Sequence, residues 1–153
     1  MVPRLDSSSA DDGRSTSNNG GAPIGAPDYI ELRGLRVSGF CGLLPEELER
    51  RQPLEFDLDV YVSTENSGHT DDLSDTVDYG AICERIEHMI RDEQFLLLER
   101  LANRTAEVIL EFAGVIGVRL AVRKLRPPVP QQLHSSGVGL VRWASGVPTQ
   151  DVP

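Results

Sequence analysis

Lys124 is the only lysine in a chain whose other fourteen basic residues are all arginines. It closes the stretch VRLAVRK, residues 118–124, in which Val118, Leu120 and Val122 share one face and Arg119 and Arg123 the other. If the alternation runs to the end of the stretch, the ammonium leaves an apolar face and loses part of its hydration. Desolvation disfavours the charged form of an amine and turns a lysine into a general base near neutral pH. A guanidinium cannot be tuned in this way. A strand that frays at its last residue would instead turn Lys124 into water, and the pattern alone leaves both readings open.

Three further residues could carry chemistry. GLLPEE, residues 42–47, supplies Glu46 and Glu47. Pro followed by two acids is also a helix start, with the carboxylates at the positive end of the dipole, and capping is the reading the sequence favours. Tyr79, in TVDYGA, falls on the apolar stripe of a helical segment, so a packed core tyrosine is expected there. Glu99 follows three leucines, residues 96–98, at the start of a second helical segment. It either complements the helix dipole at the surface or is held in a pocket, where its two oxygens could accept a paired N–H fork from a guanidine-like ligand edge.

Other chemistries find no support in the spacing. His69, His88 and His134 show no zinc-ligand spacing, and no HxH or HExxH occurs. Cys41 and Cys83 are far apart, forming no CxxC, so neither a disulfide framework nor a thiolate metal site is expected. Cys41 lies between Gly39 and Gly42 with no base near it in the chain, which points to a buried thiol rather than a nucleophile. The Gly-rich stretches lack the strand-to-helix context of a phosphate loop, and no serine sits in a GxSxG elbow.

The elements that must position these residues follow from hydrophobic period. LEFDLDVYV, residues 54–62, alternates without error and reads as a half-buried antiparallel strand. IELRGLRV, residues 30–37, slips phase between Leu32 and Leu35, which predicts a bulge at Gly34. Residues 75–93 place Tyr79, Ile82, Ile86, Met89 and Ile90 on one helical stripe, and residues 97–112 repeat the pattern. Residues 118–124 and 137–143 are the third and fourth strands. The order β-β-α-α-β-β is an α+β fold with helices covering one face of a four-stranded sheet. Its two open edges call for self-association.

Residues 1–28 are rich in Ser, Gly, Asp and Asn with no apolar run, and are expected to be a disordered arm; residues 145–153 are expected to be a flexible tail. The folded domain is then 29–144, about 115 residues, enough to bury roughly two-thirds of its unfolded surface. No signal-peptide core or membrane-length run is visible, so a cytoplasmic location with no membrane partner is expected. The net charge of −9 argues against a nucleic-acid partner, which needs clustered Lys and Arg.

Four stretches taken in order, IELRGLRVSGFCGLLPEE, DDLSDTVDYGAI, LLERLA and VRKLRPPVPQ, resemble the dihydroneopterin aldolase family of folate biosynthesis. The resemblance runs from about Tyr29 to Trp143. It implies the tunnelling fold, a four-stranded antiparallel sheet with two helices inserted after the second strand. It also implies a homo-oligomer in which four subunits join sheet edges into a ring and two rings stack into an octamer. The implied reaction is retro-aldol cleavage of a small pterin substrate, 7,8-dihydroneopterin, to 6-hydroxymethyl-7,8-dihydropterin and glycolaldehyde, with no cofactor, metal or Schiff base. By resemblance Lys124 is the general base and Tyr79 returns a proton to the enol. Glu99, with the Leu98 backbone, anchors the pterin, and Glu47 lies near the reacting end. Tyr79 and the adjoining Val77 are expected to reach the site from a neighbouring subunit. Cys41 departs from the family, standing where many members have His, and the loop PQQLHSSGVG differs from better-known members. The alternatives are an epimerase of dihydroneopterin or its triphosphate, for which Arg123 and Arg126 could serve at the site mouth, and a non-catalytic pterin-binding module.

Overall fold

A computed structural model describes residues 27–147 of the chain. The expected arm, apart from Pro27 and Asp28, and most of the expected tail lie outside the described residues. Asp28 belongs to the folded unit: its carbonyl accepts from Val62 N at 3.0 Å and its carboxylate from Thr64 Oγ1 at 2.5 Å.

Four strands, β1 (Tyr29–Gly39), β2 (Gln52–Tyr61), β3 (Gly117–Lys124) and β4 (Ser136–Trp143), form one sheet in sequential order, with every neighbouring pair antiparallel. Two short helices, α1 (Pro45–Glu49) and α2 (Glu65–Thr70), flank β2, and a 3-10 turn spans Leu73–Asp75. The two long helices, α3 (Tyr79–Asp92) and α4 (Leu98–Leu110), intervene between β2 and β3 and pack on one sheet face. The β-β-α-α-β-β order read from the period is therefore the order of the main elements.

The core lies between that face and the helices. Leu54, Phe56, Leu58 and Val60 of β2 are fully buried, as are Val118 and Val122 of β3. Against them pack Ile82, Ile86, Met89 and Ile90 of α3 and Leu101, Val108 and Ile109 of α4. Each such side chain contributes roughly 1.5–3 kcal/mol on leaving water, which is why the period-2 and period-3.6 patterns dictate which face turns inward. The opposite sheet face is charged: Arg33 pairs with Asp59 at 2.6 Å, and Arg123 with Asp57 at 2.6 Å.

Three local features position the candidate site. The phase slip in β1 is a bulge, with the register shifting between Leu32 and Leu35; Gly34 takes a left-handed φ of 70° and donates its N–H to the Asp57 carboxylate at 2.9 Å. The bulge lets both halves of β1 present apolar residues to the core. Leu54 is the cross-strand partner of Lys124, and directly opposed residues of an antiparallel pair share a face. Finally, the chain after β1 is stitched to the chain before α4 by an isolated bridge between Cys41 and Phe95, with Gly42 N to Phe95 O at 3.1 Å and Phe95 N to Phe40 O at 3.2 Å.

Candidate active site

Lys124 ends β3 on the buried side of the sheet, and its side chain is only 12% exposed. The fraying alternative does not hold: the pairing of Lys124 with both Leu54 and Ser136 keeps β3 in register to its last residue. The ammonium meets Glu47, 8% exposed, with Nζ 2.7 Å from Oε1.

Glu47 occupies that position through its own helix. Pro45 opens α1 with its φ already suited to the turn, and the Glu47 carboxylate reaches back so that Oε2 accepts from Leu44 N at 3.3 Å. The capping role read from the sequence is thus present, and the second oxygen is left for Lys124. Glu46 is exposed on the same turn. Behind the carboxylate lies Gly42, where an added Cβ would run into the Glu47 carboxyl carbon and Oε2. Burial alone would raise the Glu47 carboxyl. The hydrogen bond from Lys124, the Leu44 N–H, the Lys124 charge and the Gln52 amide outweigh it and hold the group below its ordinary value. Glu47 is therefore ionised at neutral pH.

Glu99 is the second residue of α4, whose N-cap Leu97 offers no capping side chain. The first-turn N–H groups of α4 are left to solvent or ligand, and the Glu99 carboxylate complements the dipole there. Glu47, Leu98, Glu99 and Lys124 together line one concavity of ≈450 Å³, closed on its other sides by residues that include Leu44, Pro128 and Gly137. The Cys41–Phe95 stitch brings the two glutamate-bearing segments to the same cleft.

The other two predicted residues are elsewhere. Tyr79 is 59% exposed at the first turn of α3, where Asp78 caps the helix by accepting from Gly80 N and Ala81 N. The expected core tyrosine is thus a surface residue, because its stripe crosses the core only from Ile82 onward. Val77 is buried and lines a different concavity of ≈350 Å³ with Ser63, Asn66 and Thr76. The chain brings four of the six residues into one cleft and holds Tyr79 and Val77 outside it.

Arg123 does not stand at the mouth of the cleft: it is turned to the charged sheet face, paired with Asp57 and Glu55. Cys41 is fully buried, as expected for a packed thiol; burial pushes the thiol above its ordinary 9.0, with Lys124 opposing the rise and Glu47 and Glu99 adding to it. Sequence reasoning missed Gln52, whose amide reaches both the Cys41 carbonyl and Glu47, and nothing in its sequence context signals that contact. Among the described residues no group of three or more His, Cys, Asp or Glu is arranged to hold a metal, and no helix is long and apolar enough to cross a membrane.

Sheet order and helix insertion make this a tunnelling-fold protein, with a cleft of carboxylates and one ammonium sized for a small polar molecule. Comparison with known proteins narrows the class. The family model described as FolB: Dihydroneopterin aldolase matches residues 30–141. The chain is 32% identical over 116 residues to the dihydroneopterin aldolase of Streptococcus pyogenes serotype M1, covering 75% of this chain and 98% of the relative. It is 33% identical over 115 residues to that of Streptomyces coelicolor, covering 75% and 97%. The crystal structure of Escherichia coli dihydroneopterin aldolase in complex with neopterin superposes with a TM-score of 0.69 at 26% identity, covering 75% of this chain and 98% of that one. The chain belongs to the dihydroneopterin aldolase family.

Proposed function

We propose that the protein cleaves 7,8-dihydroneopterin by a retro-aldol reaction, a step of folate biosynthesis, in the cleft between α1, α4 and the end of β3. The observation that carries this reading is the Lys124–Glu47 pair at 2.7 Å on the wall of the cleft that Glu99 also lines.

Each group has a chemical task. The Glu99 carboxylate accepts the paired N–H edge of the pterin, and the uncapped first turn of α4 around Leu98 offers backbone donors to the ring. This fixes the ring and leaves its side chain toward Glu47 and Lys124. Lys124, in its neutral amine form, takes the proton of the side-chain hydroxyl next to the scissile bond, through a water. The C–C bond then breaks, glycolaldehyde leaves, and the electron pair passes into the ring's own C=N bond, so the reaction calls for no metal and no Schiff base. When Lys124 gains the proton, the ionised Glu47 stabilises the new charge at a fixed distance. Tyr79, with Val77 beside it, returns a proton to the enol carbon from a neighbouring subunit, because its own chain holds it outside the cleft. That requires an oligomer, and the open edges β1 and β4 and the apolar rim of Leu43, Leu44, Leu96 and Leu97 suit ring assembly.

Arginine is absent from the residues lining the cleft, and Arg123 is committed to Asp57. Arg126, the other arginine considered for the mouth, is exposed between Lys124 and Pro128 but does not line the cleft, whose charged residues are two carboxylates and Lys124; this favours the unphosphorylated substrate. Purified protein is incubated with 7,8-dihydroneopterin and, separately, with its triphosphate, and products are identified by mass and chromatography. Release of 6-hydroxymethyl-7,8-dihydropterin and glycolaldehyde from the first substrate is expected. Epimer alone, or preference for the triphosphate, would overturn the proposal.

A further inference from the structure

We propose that Gln52 is a positioning residue: its side-chain amide sets the Glu47 carboxylate, and through it the Lys124 ammonium. The proposal deepens the aldolase reading and rests on it for its kinetic consequences, though not for its structural one.

Gln52 is the first residue of β2 and the cross-strand partner of Gly39, the last residue of β1. From there its Nε2 donates to the Cys41 carbonyl at 2.6 Å and approaches Glu47 Oε1 at 3.5 Å. The amide has two N–H donors, and these are its two acceptors. The flipped amide would set an oxygen against a carbonyl and a carboxylate, so the neighbours dictate the orientation. Gln52 is not among the residues lining the ≈450 Å³ cleft, whereas Glu47 and Lys124 are. Whatever it contributes to the reaction passes through them.

The Glu47 carboxylate is confined on every side. Gly42 backs it with no room for a Cβ, Leu44 N–H binds Oε2, and Gln52 and Lys124 share Oε1. Gln52 differs from the others in binding two things at once. Its bond to Cys41 O anchors the chain that carries Gly42, while its second N–H faces the carboxylate. The same residue therefore ties the loop to the carboxylate that the loop must hold. Without the amide, the Leu44 N–H and Lys124 still hold the carboxylate, but Oε1 loses its second donor and the loop loses its tie to it, so the carboxylate and with it Nζ can shift. Of the charged groups, Lys124 of β3 bonds Glu47 and Glu99 of α4 lines the same cleft; the Cys41 thiol of the loop feels the charge of all three. Lys124 and the Leu44 N–H still favour the ionised carboxylate when the Gln52 donor is lost, but one of its donors is gone, so the Glu47 titration moves to higher pH.

The test uses the full-length chain with Gln52→Met, which keeps the length of the side chain and removes the amide, and Gln52→Glu, which keeps the shape and adds a charge. Turnover of 7,8-dihydroneopterin is followed against pH, and the Glu47 carboxyl is titrated by carbon NMR. In Gln52→Met, kcat is expected to fall by about 10- to 100-fold, the cost of a misplacement of up to about 1 Å. KM should stay within about threefold because the Glu99 anchor is intact, and the Glu47 titration should shift upward. Gln52→Glu should shift that titration further by like-charge repulsion, and it carries the test if the Met variant does not fold. Wild-type kcat with an unmoved Glu47 titration would overturn the proposal. So would a rise in KM that accounts for the whole loss, since Gln52 would then touch substrate. If the wild-type chain shows no turnover, the aldolase reading fails on its own, and the Glu47 titration still decides whether Gln52 positions the carboxylate.

Discussion

The Lys124–Glu47 pair can be weighed by a double-mutant cycle. Glu47→Ala removes the acceptor 2.7 Å from Nζ and leaves an ammonium on a side chain 12% exposed. It also removes the acceptor for Leu44 N. Losing a hydrogen bond to a charged group costs about 1.5–3 kcal/mol, and losing a helix cap costs about 1 kcal/mol. A fully enclosed charge left alone would cost about 3–5 kcal/mol, but Lys124 faces the cleft and recovers some water. The expected loss for Glu47→Ala is therefore about 2–4 kcal/mol. Lys124→Met leaves Glu47 with its Leu44 and Gln52 donors and should cost less. Neither charge is stranded in the double variant, so the two losses should fall short of adding by about 1–3 kcal/mol. Urea unfolding at fixed protein concentration measures this, with Trp143, the only tryptophan, reporting through its stack on Tyr61. The coupling also carries a pH signature. The folded-state Glu47 carboxyl lies below its ordinary 4.5, so the stabilisation is fully present above that value and disappears as pH falls through the lower folded-state one. Additivity within about 0.5 kcal/mol at neutral pH, a margin typical of independent sites, would refute the claim that the two residues form one unit.

Other outcomes follow from the same geometry. Lys124→Arg keeps a cation beside Glu47 but cannot release a proton near neutrality; kcat should drop by about 10²–10⁴ while pterin affinity, read by fluorescence titration, changes little. Glu99→Gln presents a donor to the pterin's N–H edge and should weaken binding by about 1–3 kcal/mol, seen by calorimetry as a raised Kd. Refolding Lys124→Ala together with Tyr79→Phe should restore partial activity in mixed assemblies confirmed by native mass spectrometry. Mixed assemblies as inactive as either parent would mean that each chain carries a complete site. Gly117→Ala should cost about 1–3 kcal/mol by overpacking, because its Cβ would enter the Trp143 ring and displace the stack on Tyr61, 4.9 Å between centroids.

What the sequence determines about this protein is what depends on local period. Alternation in residues 54–62 is a property of neighbouring residues, and it assigns Leu54, Phe56, Leu58 and Val60 to the core without knowledge of any partner. The bulge at Gly34 is legible for the same reason, since a phase slip needs an extra residue and glycine accepts the φ of 70° that results. Period does not say where along an element the core ends. It put Tyr79 on the right stripe and the wrong side of the boundary, because α3 meets the sheet only from Ile82 on. It left Lys124 undecided until its pairing with Leu54 placed it at the rim of the buried face. Arg123, one residue earlier, was therefore bound to face the other way, which the spacing alone did not connect with the cleft. The contacts that make the cleft join residues far apart in sequence: Glu47 with Lys124, Gln52 with Cys41, and Gly42 with Phe95. No periodic signal marks them, because each arises where the ends of separate elements meet, and only the tertiary structure decides which ends those are.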